Sequence, residues 1–170
     1  MAVAVGLLLI GVYLIVMPPA WSVFSEERAH SLSEDSRFSI ETRVRYATRA
    51  IELAPDYLKG VAVWRRGRVY FDVGRFADAA RDYEEAVQHE KDPSSIFALD
   101  LSRAERKLGN RQIALNYLTA FIDANERKQG IKEDGTTRSY LNEAYMERAG
   151  VLEQLGNKEG AASDRAKVRK

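Results

Sequence analysis

The sequence predicts an all-α protein in which a single N-terminal transmembrane helix leads into an α-solenoid of antiparallel helix hairpins. Two observations predict it. Residues 1–23 carry no charged side chain whereas the remainder of the 170-residue chain is densely charged, and glycines that close helical segments recur at 74, 109 and 156. A chain of this length can bury an adequate core without metal or disulfide staples.

The first element is the run from Met1 to Met17, MAVAVGLLLIGVYLIVM. As a helix at ~1.5 Å per residue it would measure roughly 25 Å, slightly under the ~30 Å of bilayer hydrocarbon. Its apolar residues surround the helix completely, which disfavours a helix packed into a soluble core. Pro18 and Pro19 are expected to end the helix near Met17, and Trp21 and Phe24 fall where aromatic rings settle at a membrane interface. Residues 1–23 are therefore read as a retained anchor and interface segment in contact with lipid through residues 1–17. The rival, a cleaved signal peptide, lacks a preceding Lys or Arg, and Pro18-Pro19-Ala20 makes a poor cleavage site. No cysteine is present to carry a lipoprotein anchor. The first flanking charges are Glu26, Glu27 and Arg28. Without a basic collar, the following domain is expected outside the cytoplasm, in a periplasm, with the cytoplasmic face as the alternative.

Residues 24–170 read as repeats. Gly74 and Gly109 lie 35 residues apart and Gly109 and Gly156 lie 47 apart, the second interval leaving about 13 residues of insertion beyond a ~34-residue unit. Units are expected at about 24–57, 58–93, 94–127 and 138–170. In the clearest one, Gly67 lets the first helix approach the second, and Tyr70 is the aromatic one turn later. Gly74 and Phe76 make the turn, and Ala79, Tyr83 and Ala86 form the buried stripe of the second helix. Upstream, Tyr46 to Pro55 reads as a second helix with its closing proline. Downstream, Leu101, Ala114 and Leu118 face inward in one hairpin, and Ala149, Leu152 and Ala161 in the next. One hairpin cannot bury its own apolar face, so at least three must stack. The insertion, Arg127 to Thr137, reads as a solvated loop, or alternatively a partner-binding loop on one rim. The C-terminal DRAKVRK is polar enough to cap the stack.

This pattern resembles the tetratricopeptide repeat. It departs from that repeat at Arg66, where leucine is usual, and at Pro93, which arrives two residues late. The resemblance implies that the first helix of each hairpin lines a concave groove. It directs Trp64, Arg68, Phe71 and Asp72 there, with Leu99, Arg103, Arg106 and Lys107 from the next hairpin. Aromatic residues beside arginines dominate protein-binding hot spots. Trp64 could instead pack against a neighbouring hairpin. The basic side chains suggest an acidic or carboxylate-ended ligand, although the asparagine and lysine pattern of chaperone-binding clamps is not present.

Other chemistries find little support. Twenty-six Lys and Arg nearly cancel 25 Asp and Glu, which removes the electrostatic footprint of a nucleic-acid binder. With no cysteine and only His30 and His89, thiolate and imidazole metal sites are not expected. Asp82, Glu84, Glu85 and Glu90 read as one solvated helix face, and His89 as a dipole partner at its C-terminal end. No catalytic, cofactor-binding or metal-binding residue is identified and no small-molecule substrate is expected. The leading expectation is a non-enzymatic scaffold or assembly subunit of a membrane complex, in keeping with bacterial single-span tetratricopeptide proteins that attend secretion, envelope biogenesis or energy-transducing complexes. The alternative is a transient peptide-binding adaptor or chaperone-like receptor at the membrane.

Overall fold

The computed structural model describes residues 18–128 and 135–168, with side chains from Ser25 onward. Every regular element among them is helical: α1 (Pro18–Glu34), α2 (Ile40–Leu53), a 3-10 turn (Asp56–Leu58), α3 (Lys59–Asp72), α4 (Phe76–Glu90), α5 (Ile96–Lys107), α6 (Arg111–Lys128), α7 (Gly135–Gln154) and α8 (Lys158–Lys167).

The membrane expectation is corrected. No helix among the described residues is long and apolar enough to cross a bilayer, so neither the single-span anchor nor the single-pass localisation, on either face, is carried further. The apolar run Met1–Met17 lies outside the described residues. Pro18 and Pro19 stand at the start of α1, where a missing backbone N–H is tolerated. Trp21 and Phe24 are residues of that same helix, which continues into Glu26, Glu27 and Arg28.

The last three hairpins turn in one way. Gly74, Gly109 and Gly156 adopt φ values of 78°, 86° and 85°, a left-handed conformation that costs other residues roughly 1–2 kcal/mol. In each, the next residue's N–H reaches back five residues to a helical carbonyl: Arg75 to Tyr70, Asn110 to Glu105 and Asn157 to Leu152. This satisfies carbonyls that the helix end would leave orphaned. The following helix opens at once, its first bonds made by Ala79, Ala114 and Ala161, and all three alanines are completely buried. The first hairpin turns without glycine. Asp35 accepts from the backbone and guanidinium of Arg37, and the Ser39 side chain caps α2 by accepting from the Thr42 N–H.

Each helix packs on the next in the chain, and the first helices of successive hairpins also meet, α1 with α3 and α5 with α7. The core runs through the stack as two clusters. One joins Ala79, Ala80 and Tyr83 of α4 to Leu101 and Ala104 of α5. The other joins α5, α6 and α7 through Leu99, Leu118, Phe121, Ile122, Leu141 and Tyr145. Ala149 and Ala161 are buried as well.

Asp82 is not on a solvated face. It is 3% exposed, and its carboxylate is gripped at both oxygens by Arg66 at 2.8 Å. Thr48 of the preceding hairpin approaches the same guanidinium at 3.4 Å. The arrangement recurs in the last hairpin, where Arg148 holds Asp164 at 2.7 Å and Thr119 lies at 3.4 Å. Each arginine stands eight residues before its turn glycine and each aspartate eight after. The third hairpin places Leu101 and Tyr117 at those positions, packed in the apolar cluster instead. Arg66 thus replaces leucine in company with a matching aspartate.

Removing one partner of such a pair strands the other charge. Asp82→Ala should cost about 3 kcal/mol or more in urea unfolding. The double change Arg66→Leu with Asp82→Tyr, which installs the pairing of the third hairpin, should recover most of it. Glu52→Gln, which breaks an exposed pair with Arg49, should cost under about 1 kcal/mol.

Candidate protein-binding groove

Residues 64, 68, 71 and 72 are spaced to share one face of α3, and the adjacency of first helices sets that face beside α5. Trp64 is half-buried and does pack on the neighbouring hairpin. Its ring lies 5.4 Å from that of Phe97, and its indole N–H donates to Asp100 Oδ2 at 2.8 Å. The Arg68 guanidinium sits 5.2 Å over the indole, and Arg68 itself is exposed.

Asp100 presents its other oxygen to Arg103 Nη1 at 2.6 Å. Arg103 also pairs with Glu143 and, at 3.0 Å, with Glu147 on α7. Glu147 takes Arg106 in turn at 3.2 Å. A polar chain therefore ties α3 to α5 to α7. It corrects the expectation of a basic groove, because the positive charges of Arg103 and Arg106 are met by carboxylates from the next hairpin. The three carboxylates hold the Arg103 guanidinium above its ordinary pKa against the opposing effect of burial.

Leu99 and Lys107 lie elsewhere. Leu99 is fully buried in the α5–α6–α7 cluster, since it sits one position off the face carried by Asp100 and Arg103. Lys107 stands at the turn end of α5, its ammonium 5.8 Å from the Phe76 ring. Phe71 is half-buried with its ring edge-on to Phe76 at 5.2 Å.

Two cavities open on this face. One of about 180 Å³ is lined by Arg68, Phe71, Asp72, Tyr83, Asp100 and Arg103. Its neighbour, about 230 Å³, is lined by Glu34, Arg43, Arg65, Arg68, Val69 and Asp72. They share Arg68 and Asp72, so the groove runs from α5 across α3 toward α1 and α2. At that end Arg65 pairs at 3.2 Å with Glu26, whose side chain is 4% exposed, and Arg43 donates to the Ser33 carbonyl at 2.8 Å. The sequence reading missed Glu34, Arg43, Arg65, Tyr83, Asp100, Glu143 and Glu147. Only the helical spacing of Asp100 with Arg103 and of Glu143 with Glu147 offered a signal.

His30 lies where α1 meets this groove, 3.6 Å from Glu34. Burial and the positive charge of Arg65 hold its pKa below the free value of 6.5, against the opposing pull of Glu34 and Glu26. As pH falls through 6.5 the unfolded chain therefore takes up this proton more readily than the folded chain, and stability falls. The urea-unfolding free energy should decrease between pH 7.5 and 5.5, and His30→Gln should flatten that slope.

No protein-family model matches the chain. Over 103 residues, 61% of its length, the chain is 29% identical to the mouse (Mus musculus) protein DnaJ homolog subfamily C member 7, of which the matched stretch is 20%. The chain thus spans about one fifth of the curated relative that it resembles.

Proposed function

We propose that this chain is a non-enzymatic, tetratricopeptide-like protein-interaction module that grips an extended segment of a partner along the first-helix groove. One observation carries the reading. The two adjoining cavities meet at Arg68 and Asp72, neither of which forms an ion pair among the described residues, beside an indole locked in place by Asp100. Charged groups without ion-pair partners beside a fixed aromatic ring are what a binding surface offers. The left-handed turn glycines, the buried alanines after them and the close Gly67–Tyr83 approach support the tetratricopeptide-like assignment. The partial likeness to the DnaJ homologue agrees with a helical interaction module. An open groove favours a peptide-binding adaptor over a subunit fixed permanently in an assembly.

Selection of a random-sequence peptide library on the immobilised protein tests this. Binders should emerge, and Arg68→Glu combined with Asp72→Ala should weaken them at least tenfold. Both side chains are exposed, so the unfolding midpoint should stay nearly unchanged. Tyr57→Ala, at a residue 79% exposed outside the groove, should leave affinity intact. Absence of binders, or binders indifferent to the groove substitutions, would overturn the proposal.

A further inference from the structure

Tyr83 is 2% exposed, yet its hydroxyl has no hydrogen-bond partner among the described residues. The ring reaches this position because Gly67 of α3 has no side chain. A Cβ built there would lie 2.7 Å from Tyr83 Cε1, so only glycine lets α3 rest on the ring. The tyrosine lines the 180 Å³ cavity, and the charges that act on it are Asp100, Arg68, Asp72 and Arg103, all of the same cavity. Burial, then Asp100, push its pKa well above the ordinary value. The group therefore stays protonated and keeps both a donor and an acceptor to offer. The hydroxyl is not sealed in: it opens on the cavity, where its donor and acceptor meet whatever enters.

The walls state what would satisfy it. Asp100 is engaged at both oxygens, by Trp64 and Arg103, and Arg103 is engaged by carboxylates of α5 and α7. That leaves the Arg68 guanidinium as a donor, the Asp72 carboxylate as an acceptor and the Tyr83 hydroxyl as either. Two positive and two negative side chains line the cavity. A carboxylate entering it would meet Asp72 and Asp100, and an ammonium would meet Arg68 and Arg103. A neutral group with both polarities meets neither penalty. At about 180 Å³ the cavity has room for the end of one side chain.

We propose that this cavity is a specificity subsite for the carboxamide of an asparagine or glutamine side chain of the bound peptide. Its carbonyl would accept from Arg68 or Tyr83 and its amino group would donate to Asp72. The assignment rests on the groove reading above and adds to it the residue class that the groove selects.

The same peptide selection tests it. Binders should share an Asn or Gln at one recurrent position, and changing that residue to Glu or Lys should weaken binding about tenfold or more, to Ala about five- to tenfold. Tyr83→Phe should weaken the Asn- or Gln-bearing peptide about five- to tenfold while leaving the Ala-substituted peptide unchanged. That variant removes only a hydroxyl that makes no hydrogen bond among the described residues, so its urea midpoint should stay nearly unchanged. Arg68→Ala serves as a second variant on an exposed side chain. Binders that favour an acidic or basic residue at this position, or that keep full affinity for Tyr83→Phe, would overturn the subsite while the groove stands. A library that yields no binder would overturn the groove reading and this one with it.

Discussion

Three of the four described hairpins reverse through a glycine in the left-handed region, and much of the rest of this fold follows from those turns. Once Gly74, Gly109 and Gly156 accept φ near 80°, the second helix starts immediately and lies against the first. Two helix backbones so close leave no room for a large side chain near the turn, which is why the fifth residue after each glycine is a fully buried alanine. Farther from the turn larger side chains enter the interface, at Gly67 only because that residue has no side chain. Tyr83, Phe121 and Tyr145 are the buried rings there. A single hairpin built this way still exposes an apolar flank, so hairpins stack, and stacking sets the first helices side by side. The groove is a consequence of that order.

Within this geometry, polar side chains add selectivity to what apolar contact supplies. Arg66 with Asp82 and Arg148 with Asp164 take up the same positions across two different hairpins, whereas the hairpin between them uses Leu101 and Tyr117. Buried ion pairs contribute little net stability once desolvation is counted, but a wrongly docked hairpin would leave two charges stranded. The Thr48 and Thr119 contacts bring the preceding hairpin into each pair. The pairs thus report on stacking between units as well as on folding within one. Arg103 plays the same part on the groove side, holding carboxylates from α5 and α7 together.

Features set by neighbours along the chain were legible in the sequence. The turn glycines, the alanines after them and the stripe through Gly67, Tyr83 and Ala86 all depend on local spacing, and the structure places them accordingly. Features set by a side chain reaching across from another helix were not. Asp82 looks like one member of an acidic face with Glu84 and Glu85 until Arg66, 16 residues earlier, is seen to reach it. Arg103 and Arg106 look like a basic patch until Glu143 and Glu147, some 40 residues later, neutralise them. The tetratricopeptide resemblance directs Leu99 to the groove with Arg103 and Arg106, but a shift of one residue turns a helical side chain by about 100° and puts Leu99 in the core. Hydropathy raised the anchor expectation from residues 1–17 alone, and helical structure begins to be described only at Pro18, in a helix rich in charge beyond Phe24.

The groove divides into a part whose polar groups are already engaged and a part where they are not. Between α5 and α7, Asp100, Arg103, Glu147 and Arg106 are already joined in ion pairs, so a charged ligand there would have to break existing pairs to gain new ones. Around Arg68, Asp72 and Tyr83 nothing has to be broken, and the walls are still held rigidly by Trp64 on one side and the Gly67 contact on the other. Binding energy is retained best where the site is preorganised and its own groups are unspent. The engaged end therefore acts as a buttress that fixes the distance between α3 and α5, and selection among partners falls to the unengaged centre. The α1 end has a third character. There Arg65 is tied to Glu26 beside a histidine whose pKa burial and Arg65 hold below the free value of 6.5, so the α1 wall of the second cavity takes on a further positive charge only in acidic solution.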